Sequence, residues 1–450
     1  MLSGMIFCPV SPSYSTIELE HAVKIINPHC IFAGNSTIEK LKKMALEKIC
    51  NVISNIYEID DSGSVGSFCG FLKEKTSIKP TLETCNGREQ VAAILLSSGT
   101  TGLQKAVQIT HTNFIAQNYA VRHPYYDDGQ HGQETVIATV PLFHVFGIVA
   151  FLSNALFKGY TIVLMPRFQL EKYIDTVYKY KATILHVPPK IVGLLATNLH
   201  INPNHLKSVK ELRVGSSALT VTLVEKIKSK YPFIKCIKQG YGLTECTAVC
   251  HMQTPVYGKH CVIGSVGCLV PNVRAKVVDI DTRKSLEANK PGEILIQGLV
   301  VTKGYFNNDE ATRNTMEGNW LKTGDIGYYD NKGNFYVIDR LKELIKCNGF
   351  QVSPTELENL LISLNGIADV AVVGIPDDLS GELPHAFIVK NSKLTLTKRE
   401  IINYINDKVS SYKRLRGVTF LDAIPRNSVG KILRRELKKI DTNEKFYAKL

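Results

Sequence analysis

From Met1 to about Ile338, apolar β-branched runs alternate with helix-length amphipathic stretches. That periodicity is the mark of successive βαβ units. Thr183-Ile184-Leu185-His186-Val187 precedes a helical stretch opening near Pro189, and Leu212-Arg213-Val214 precedes one running from Ser217 to Lys230. Residues 135–157 carry no Asp, Glu, Lys or Arg, a length able to span a bilayer. Pro141, His144, Gly147 and Asn154 interrupt that stretch, and Gly159 with Thr161-Ile162-Val163 follows it. A buried strand, loop and helix is therefore the expectation, with no transmembrane segment. After Cys261 the strands shorten and Gly/Pro turns multiply, as in Pro291-Gly292-Glu293-Ile294-Leu295-Ile296. Beyond Asp339 a smaller unit follows, with a helix from Pro354 to Leu364, a strand from Asp369 to Val373 and a helix from Thr397 to Ser411. The pattern predicts an α/β chain with a large domain over 1–338, a junction at 339–342 and a small α+β domain over 343–450.

The apolar run Val91-Ala92-Ala93-Ile94-Leu95-Leu96 leads directly into Ser97-Ser98-Gly99-Thr100-Thr101-Gly102-Leu103-Gln104-Lys105. Small hydroxyl and glycine residues after a strand offer backbone N–H groups and hydroxyls to an anion, and one lysine supplies charge. The spacing is not that of a P-loop, because G-x-x-x-x-G-K-[ST] is absent. Taken alone, the stretch reads equally as a Ser/Gly-rich turn.

Four further motifs follow in order: Gln239-Gly240-Tyr241-Gly242-Leu243-Thr244-Glu245, Thr323-Gly324-Asp325, Asp339-Arg340-Leu341-Lys342-Glu343-Leu344-Ile345-Lys346, and Pro425-Arg426-Asn427-Ser428-Val429-Gly430-Lys431. In this order and spacing the chain resembles the adenylate-forming superfamily over nearly its whole length. Acyl-CoA synthetases, 4-coumarate–CoA ligases and firefly-type luciferases belong to it, and the flavour here is similar to the insect luciferase-like and 4-coumarate–CoA ligase-like branch. The resemblance implies βαβ-type sheet subdomains plus a small distorted β-barrel. A small mobile C-terminal domain, hinged at Lys342, would then rotate between two half-reactions. Relatives carry a sizeable segment before the stretch equivalent to residues 1–12, and its absence is expected to uncover apolar surface and a sheet edge. An incomplete sequence is the preferred reading, and a shortened form the other.

By resemblance, a carboxylate attacks the α-phosphate of ATP, pyrophosphate leaves, and coenzyme A then takes the acyl group. Lys431 is implied as the catalytic lysine bridging carboxylate and α-phosphate; by itself it reads as a surface lysine. Glu245 would hold Mg²⁺, which suits a lone carboxylate among hydroxyls, Thr244 would meet the α-phosphate, and Tyr241 would lie against adenine. In isolation Thr244 and Glu245 also read as a helix N-cap. Asp325 would accept two ribose hydroxyls, with Arg340 reinforcing ribose or phosphates. Gly215, Ser216 and Ser217 match a segment lining adenine and the acyl chain, where Ala218 replaces a usual proline. His144, in Pro141-Leu142-Phe143-His144-Val145-Phe146-Gly147, matches a gate beside the carboxylate, though a histidine among aromatics is often a core residue. For the second half-reaction Lys346, Gly349, Phe350 and Gln351 would swing in, with Cys347 and Asn348 standing where Tyr and Lys are common.

The leading expectation is an ATP- and Mg²⁺-dependent acyl-CoA synthetase acting on a fatty acid or an aryl-propenoic acid. A luciferase-like monooxygenase is the alternative within the family, with Gln117 and Ala248 replacing the usual Arg and Ser of that pocket. A non-catalytic nucleotide- or acyl-binding relative is the alternative outside catalysis.

A net charge of +13 favours anions generally. No basic–aromatic interleaving accompanies it, so polyanionic small molecules fit better than nucleic acid. The eleven scattered cysteines form no C-x-x-C pair, which points to reduced thiols inside the cell. Cys246, Cys250, His251, His260 and Cys261 cluster in sequence without a standard zinc spacing. The chain ends Ala448-Lys449-Leu450, a conservative variant of the peroxisomal S-K-L address. Import into the peroxisome through its receptor is expected, with the cytoplasm as the other location.

Overall fold

The computed structural model describes residues 4–46, 56–59, 86–97, 104–123, 126, 132–216, 219–254, 261–391, 396–427 and 430–440. Its centre is a seven-stranded sheet. In spatial order the strands are Cys268–Leu269, His251–Met252, Cys236–Tyr241, Glu211–Val214, Ile184–Val187, Thr135–Ala138 and Thr161–Leu164. The last five run parallel. Their apolar runs fit a sheet covered on both faces. Helices Leu170–Tyr180, Pro189–Thr197 and Val221–Lys230 pack into one core with it, around Tyr173, Val177, Leu185, Leu195, Leu212 and Ile227.

Two helix ends depart furthest from the sequence expectation. The helix expected from Ser217 begins at Val221, because Thr220 accepts a hydrogen bond from the Leu223 N–H at 3.3 Å and so caps it. The helix expected to reach Ser411 stops at Asn406, whose side chain accepts the Leu415 N–H at 3.1 Å and turns the chain back. The apolar stretch 135–157 is a buried strand followed by a helix. That helix opens as Val145–Gly147 and continues as the π-helical turn Ile148–Ala155. Among the described residues no helix is long and apolar enough to cross a membrane.

Val91–Ser97 and Lys105–Thr110 pair antiparallel, with Ser97 opposite Lys105, and Gly304–Tyr305 adds a third strand beside Lys105–Thr110. An antiparallel sheet follows from Val273–Val278, Gly292–Gly298, Trp320–Tyr329, Met316–Glu317 and Phe335–Arg340. The C-terminal domain carries its own sheet, Phe350–Val352, Ile345–Cys347, Gly381–Lys390 and Ile367–Asp377, with Gly417–Phe420 parallel to Gly381–Lys390. Helices Pro354–Ile362 and Lys398–Asn406 close a separate core around Leu357, Leu361, Val372, Ile388, Ile401 and Ile405.

Asp339 links strand Phe335–Arg340 to helix Pro354–Ile362. Its Oδ2 accepts from Ser353 Oγ at 2.7 Å and from the Thr355 N–H at 3.0 Å. A carboxylate thus sits at the N-terminus of helix Pro354–Ile362, where the helix dipole favours negative charge. Strand Phe335–Arg340 thereby holds the first helix of the next domain.

Candidate functional site

The parallel strands end at their carboxyl edge in the segments that carry His144, Gly215, Ser216 and the motif at residues 240–245. This is the edge where open α/β sheets place their ligands. His144 follows strand Thr135–Ala138, Gly215 and Ser216 follow Glu211–Val214, and Tyr241 closes Cys236–Tyr241. A cavity of about 670 Å³ opens there. Ser97, Lys105, His144, Gly215, Ser216, Gly240, Tyr241, Gly242, Thr244, Glu245, Arg340 and Lys431 all line it. Residues more than three hundred positions apart in sequence therefore line one cavity.

Asp325 sits beneath this wall, only 3% exposed. Tyr241 donates its hydroxyl to Asp325 Oδ2 at 2.6 Å, and Arg340 Nε lies 3.3 Å from Oδ1. Strand register places Asp325 directly across from Arg340. Burial pushes the Asp325 carboxyl up, against the pull of Arg340 and the Tyr241 hydrogen bond. Burial likewise raises the Tyr241 phenol, which stays protonated as the donor.

Lys431 reaches the cavity from a turn in which Asn427 Oδ1 accepts the Lys431 N–H and the Lys431 carbonyl accepts the Asn427 N–H, both at 2.9 Å. Its Nζ lies 3.6 Å from Glu343 Oε1. Arg434 donates to Glu343 Oε2 at 2.9 Å and also engages both oxygens of Glu358. Burial works against the Glu343 charge, but Arg434 and Lys431 hold its carboxyl below the ordinary range. Burial lowers the Lys431 ammonium, and the nearby Arg340 charge lowers it further. The result is a poorly solvated cation facing the cavity, with Glu343 as its ion-pair partner.

Glu245 Oε1 accepts the Tyr305 hydroxyl at 2.9 Å, and Lys105 Nζ lies 4.7 Å above the Tyr305 ring. Tyr305 thus ties Lys105 to Glu245. Nothing in the local sequence marks it; strand pairing from Gly304–Tyr305 to Lys105–Thr110 brings it in. Among the described residues no group of three or more His, Cys, Asp or Glu could hold a metal. A single carboxylate beside the Thr244 hydroxyl still fits Mg²⁺, which binds through one or two carboxylates plus phosphate oxygens.

His144 Nδ1 accepts the Phe146 N–H at 3.3 Å, capping the helix that begins at Val145. Burial lowers its pKa to about 4, so the imidazole is neutral near pH 7. His385, in the C-terminal sheet, is also lowered to about 4, by burial and then by Lys398. In the unfolded chain both would titrate near 6.5, so that state binds more protons between about pH 6.5 and 4. Stability is full above that window and falls as pH drops through it, by up to about 3 kcal/mol per histidine. Thermal unfolding at about pH 7 and about pH 4.5 should show this loss, and His385→Gln should flatten it. A pH-independent melting temperature would refute it.

Lys346, Gly349 and Gln351 are exposed and do not line the cavity. Lys346 and Gln351 face each other across a two-residue hairpin, with Asn348 at φ 52° and Gly349 at φ 79°. Two successive positive φ values make a tight hairpin turn, for which Asn-Gly is the preferred pair. Cys347, next to it, is buried. Ser98, Gly99, Thr100, Thr101, Gly102, Ser217 and the Ala448-Lys449-Leu450 terminus lie outside the described residues.

Residues 1–306 match the AMP-binding enzyme family, and residues 356–431 match the AMP-binding enzyme C-terminal domain. The chain is 37% identical to 4-coumarate–CoA ligase-like 2 of Arabidopsis thaliana, over 99% of this chain and 79% of that protein. It is 35% identical to luciferin 4-monooxygenase of Nipponoluciola cruciata, over 97% and 80%. Peroxisomal OPC-8:0-CoA ligase 1 of Arabidopsis thaliana is 34% identical over 98% and 81%. Among solved structures, o-succinylbenzoate coenzyme A synthetase of Bacillus subtilis, in complex with ATP and magnesium, superposes with a TM-score of 0.77. It is 26% identical, over 94% of this chain and 82% of that one.

Proposed function

This chain belongs to the AMP-binding enzyme family of adenylate-forming CoA ligases, and from that premise we propose that it activates a carboxylic acid with ATP and passes the acyl group to coenzyme A. The observation that carries the reading is the convergence of Lys431, from the C-terminal domain, with Lys105, Glu245 and Arg340 around one cavity, with Asp325 paired to Arg340. A carboxylate attacking the α-phosphate in line builds negative charge on phosphoryl oxygens. Preorganised cations in a poorly solvated site are the efficient way to meet that charge.

In this reading Lys431 bridges the acid's carboxylate and the α-phosphate, and the Glu343–Arg434 pair fixes where its ammonium points. Lys105 and the Ser97 end of its hairpin hold the outer phosphates. Asp325 orients the ribose and Arg340 braces it. Mg²⁺ at Glu245 would neutralise phosphate charge as pyrophosphate departs. Tyr305 keeps that carboxylate turned toward the cavity. Neutral His144 packs beside the acid without adding charge.

Lys346, Gly349 and Gln351 belong to the second half-reaction, and the turn around Lys342 is the proposed hinge. A rotation there would withdraw Lys431 and bring the Asn348-Gly349 hairpin in. The test is AMP and pyrophosphate release from ATP and Mg²⁺ across fatty and aryl acids, with and without coenzyme A. Release requiring both an acid and coenzyme A supports the ligase. Acid-dependent turnover that ignores coenzyme A favours another fate for the adenylate, and ATP binding with no turnover favours a non-catalytic relative.

We also propose peroxisomal import through Ala448-Lys449-Leu450, supported by the 34% identical relative named as peroxisomal. Deleting Leu450 should leave the protein diffuse in the cytoplasm. Unchanged location would remove the proposal.

A further inference from the structure

Resting on the reading of Asp325 as the acceptor of the ribose hydroxyls, we propose that Glu293 is a positioning residue for ribonucleotide selection. Held by Arg283, it sets the Thr323-Gly324-Asp325 turn. Strand Gly292–Gly298 is apolar through Ile294, Leu295 and Ile296, each fully buried, yet Glu293 beside them is only 4% exposed. A carboxylate in such a place is costly unless both of its oxygens are engaged. Here Oε1 accepts the Gly324 N–H at 3.2 Å, and Oε2 accepts from Arg283 Nη1 at 2.6 Å. Glu293, Arg283 and Gly324 all line the cavity.

The need for this carboxylate comes from the strand pairing. Ile326 stands opposite Glu293, but Lys322 stands opposite Leu295, so the ladder between Gly292–Gly298 and Trp320–Tyr329 slips within the turn. A two-residue step on one strand thus faces a four-residue step on the other. A bulge of this kind re-aims side chains and disrupts the local ladder. The backbone groups around it find specific partners instead. Thr323 Oγ1 donates to the Ile294 carbonyl at 2.7 Å and accepts the Asp325 N–H at 3.1 Å. The Gly324 carbonyl accepts the Leu341 N–H at 2.8 Å, and the Gly324 N–H goes to Glu293. Arg283 is itself held at φ 57°, a sparsely populated region that persists only where the surroundings over-determine it. Its Nε and Nη2 donate to Glu317 Oε2 at 3.0 and 2.6 Å, which fixes the guanidinium against Glu293. Tyr241 and Arg340 hold the Asp325 carboxyl, while the Glu317–Arg283–Glu293 chain holds the backbone it stands on.

The experiment measures calorimetric binding of ATP and of 2′,3′-dideoxy-ATP, with Mg²⁺ and no acid. Wild type, Glu293→Met, Glu293→Gln and Arg283→Met are compared, each well below its melting temperature. Wild type should favour ATP by about tenfold to a hundredfold, the range for losing hydrogen bonds to a charged acceptor. Glu293→Met keeps the bulk but removes the acceptor. It should lose most of that preference by weakening ATP, with the dideoxy nucleotide nearly unchanged. Glu293→Gln retains an oxygen for the Gly324 N–H and should keep the preference. Arg283→Met releases Glu293 and should lose part of it, which decides the matter if Glu293→Met does not fold. An unchanged preference in Glu293→Met and Arg283→Met, or an equal loss of affinity for both nucleotides, overturns the inference and leaves Glu293 a support of its strand alone. If wild type binds the two nucleotides equally, the ribose role of Asp325 falls and the inference with it. If wild type binds neither, the nucleotide reading itself fails.

Discussion

Lys431→Ala is expected to slow acyl-adenylate formation by about 10²–10³-fold, the range found for removing one preorganised donor from a transition state. ATP binding should survive, because Lys105, Arg340 and Asp325 remain. The ammonium is suited to this role by what surrounds it. Burial has stripped part of its solvation, Arg340 repels it, and Glu343 holds it only at 3.6 Å. Such a cation gains most when negative charge develops beside it, which happens in the transition state more than in bound ATP. Lys431→Arg should not rescue the rate, since a planar fork cannot occupy the position of a compact ammonium. Single-turnover formation of adenylate, measured beside ATP affinity, separates the two effects. Equal losses in both would make Lys431 a binding residue, and no loss in either would remove it from the chemistry. Lys346→Ala supplies the contrast: its side chain is exposed and outside the cavity, so its effect is expected on transfer to coenzyme A.

Much of this site was legible because its chemistry sits in short ordered motifs. Glu245, Asp325 and Lys431 each carry a charge beside glycine or threonine in a short motif, Arg340 stands in another, and the structure brings the four together. The parts that were not legible depend on pairing across long sequence distances. Tyr305 acquires its role from the strand beside Lys105, and Arg434 from helix Pro354–Ile362 through Glu358. Neither leaves a local pattern. The Asn348-Gly349 hairpin did leave one, since Asn-Gly is a strong turn signal, but the resemblance drew attention to which residues those positions had lost. The unpartnered amide atoms of buried Gln117 and the unpartnered Oδ1 of buried Asn154 were invisible for a different reason. A sequence gives burial by periodicity, whereas an unpaired polar atom is defined by what fails to surround it.

Motif glycines show the same limit. Gly240 and Gly242 flank Tyr241 and look equivalent in sequence, yet opposite outcomes are expected on adding one methyl to each. A Cβ at Gly240 would meet the His251 carbonyl oxygen at 3.6 Å, an ordinary contact. At Gly242 it would fall 1.6 Å from the Ala248 carbonyl oxygen and 2.9 Å from the Val249 Cα. Both obstacles are backbone, so no rotamer change relieves them. The loop cannot simply open either. The Leu243 carbonyl accepts the Cys246 and Ala248 N–H groups, and Thr247 Oγ1 donates to the Val300 carbonyl at 2.7 Å. Ala248 is moreover held at φ 91°, a conformation that persists only where its surroundings over-determine it. Gly242→Ala should therefore cost about 4 kcal/mol, near the top of single-substitution effects, and lower the melting temperature by on the order of 10 °C. It should also abolish ATP binding, because Thr244 and Glu245 hang from the displaced loop. Gly240→Ala should stay within about 1 kcal/mol of wild type and keep ATP affinity. Thermal unfolding and ATP titration of the two variants side by side give the answer. If they behave alike, the close approach of Gly242 to Ala248 is not what confines this loop.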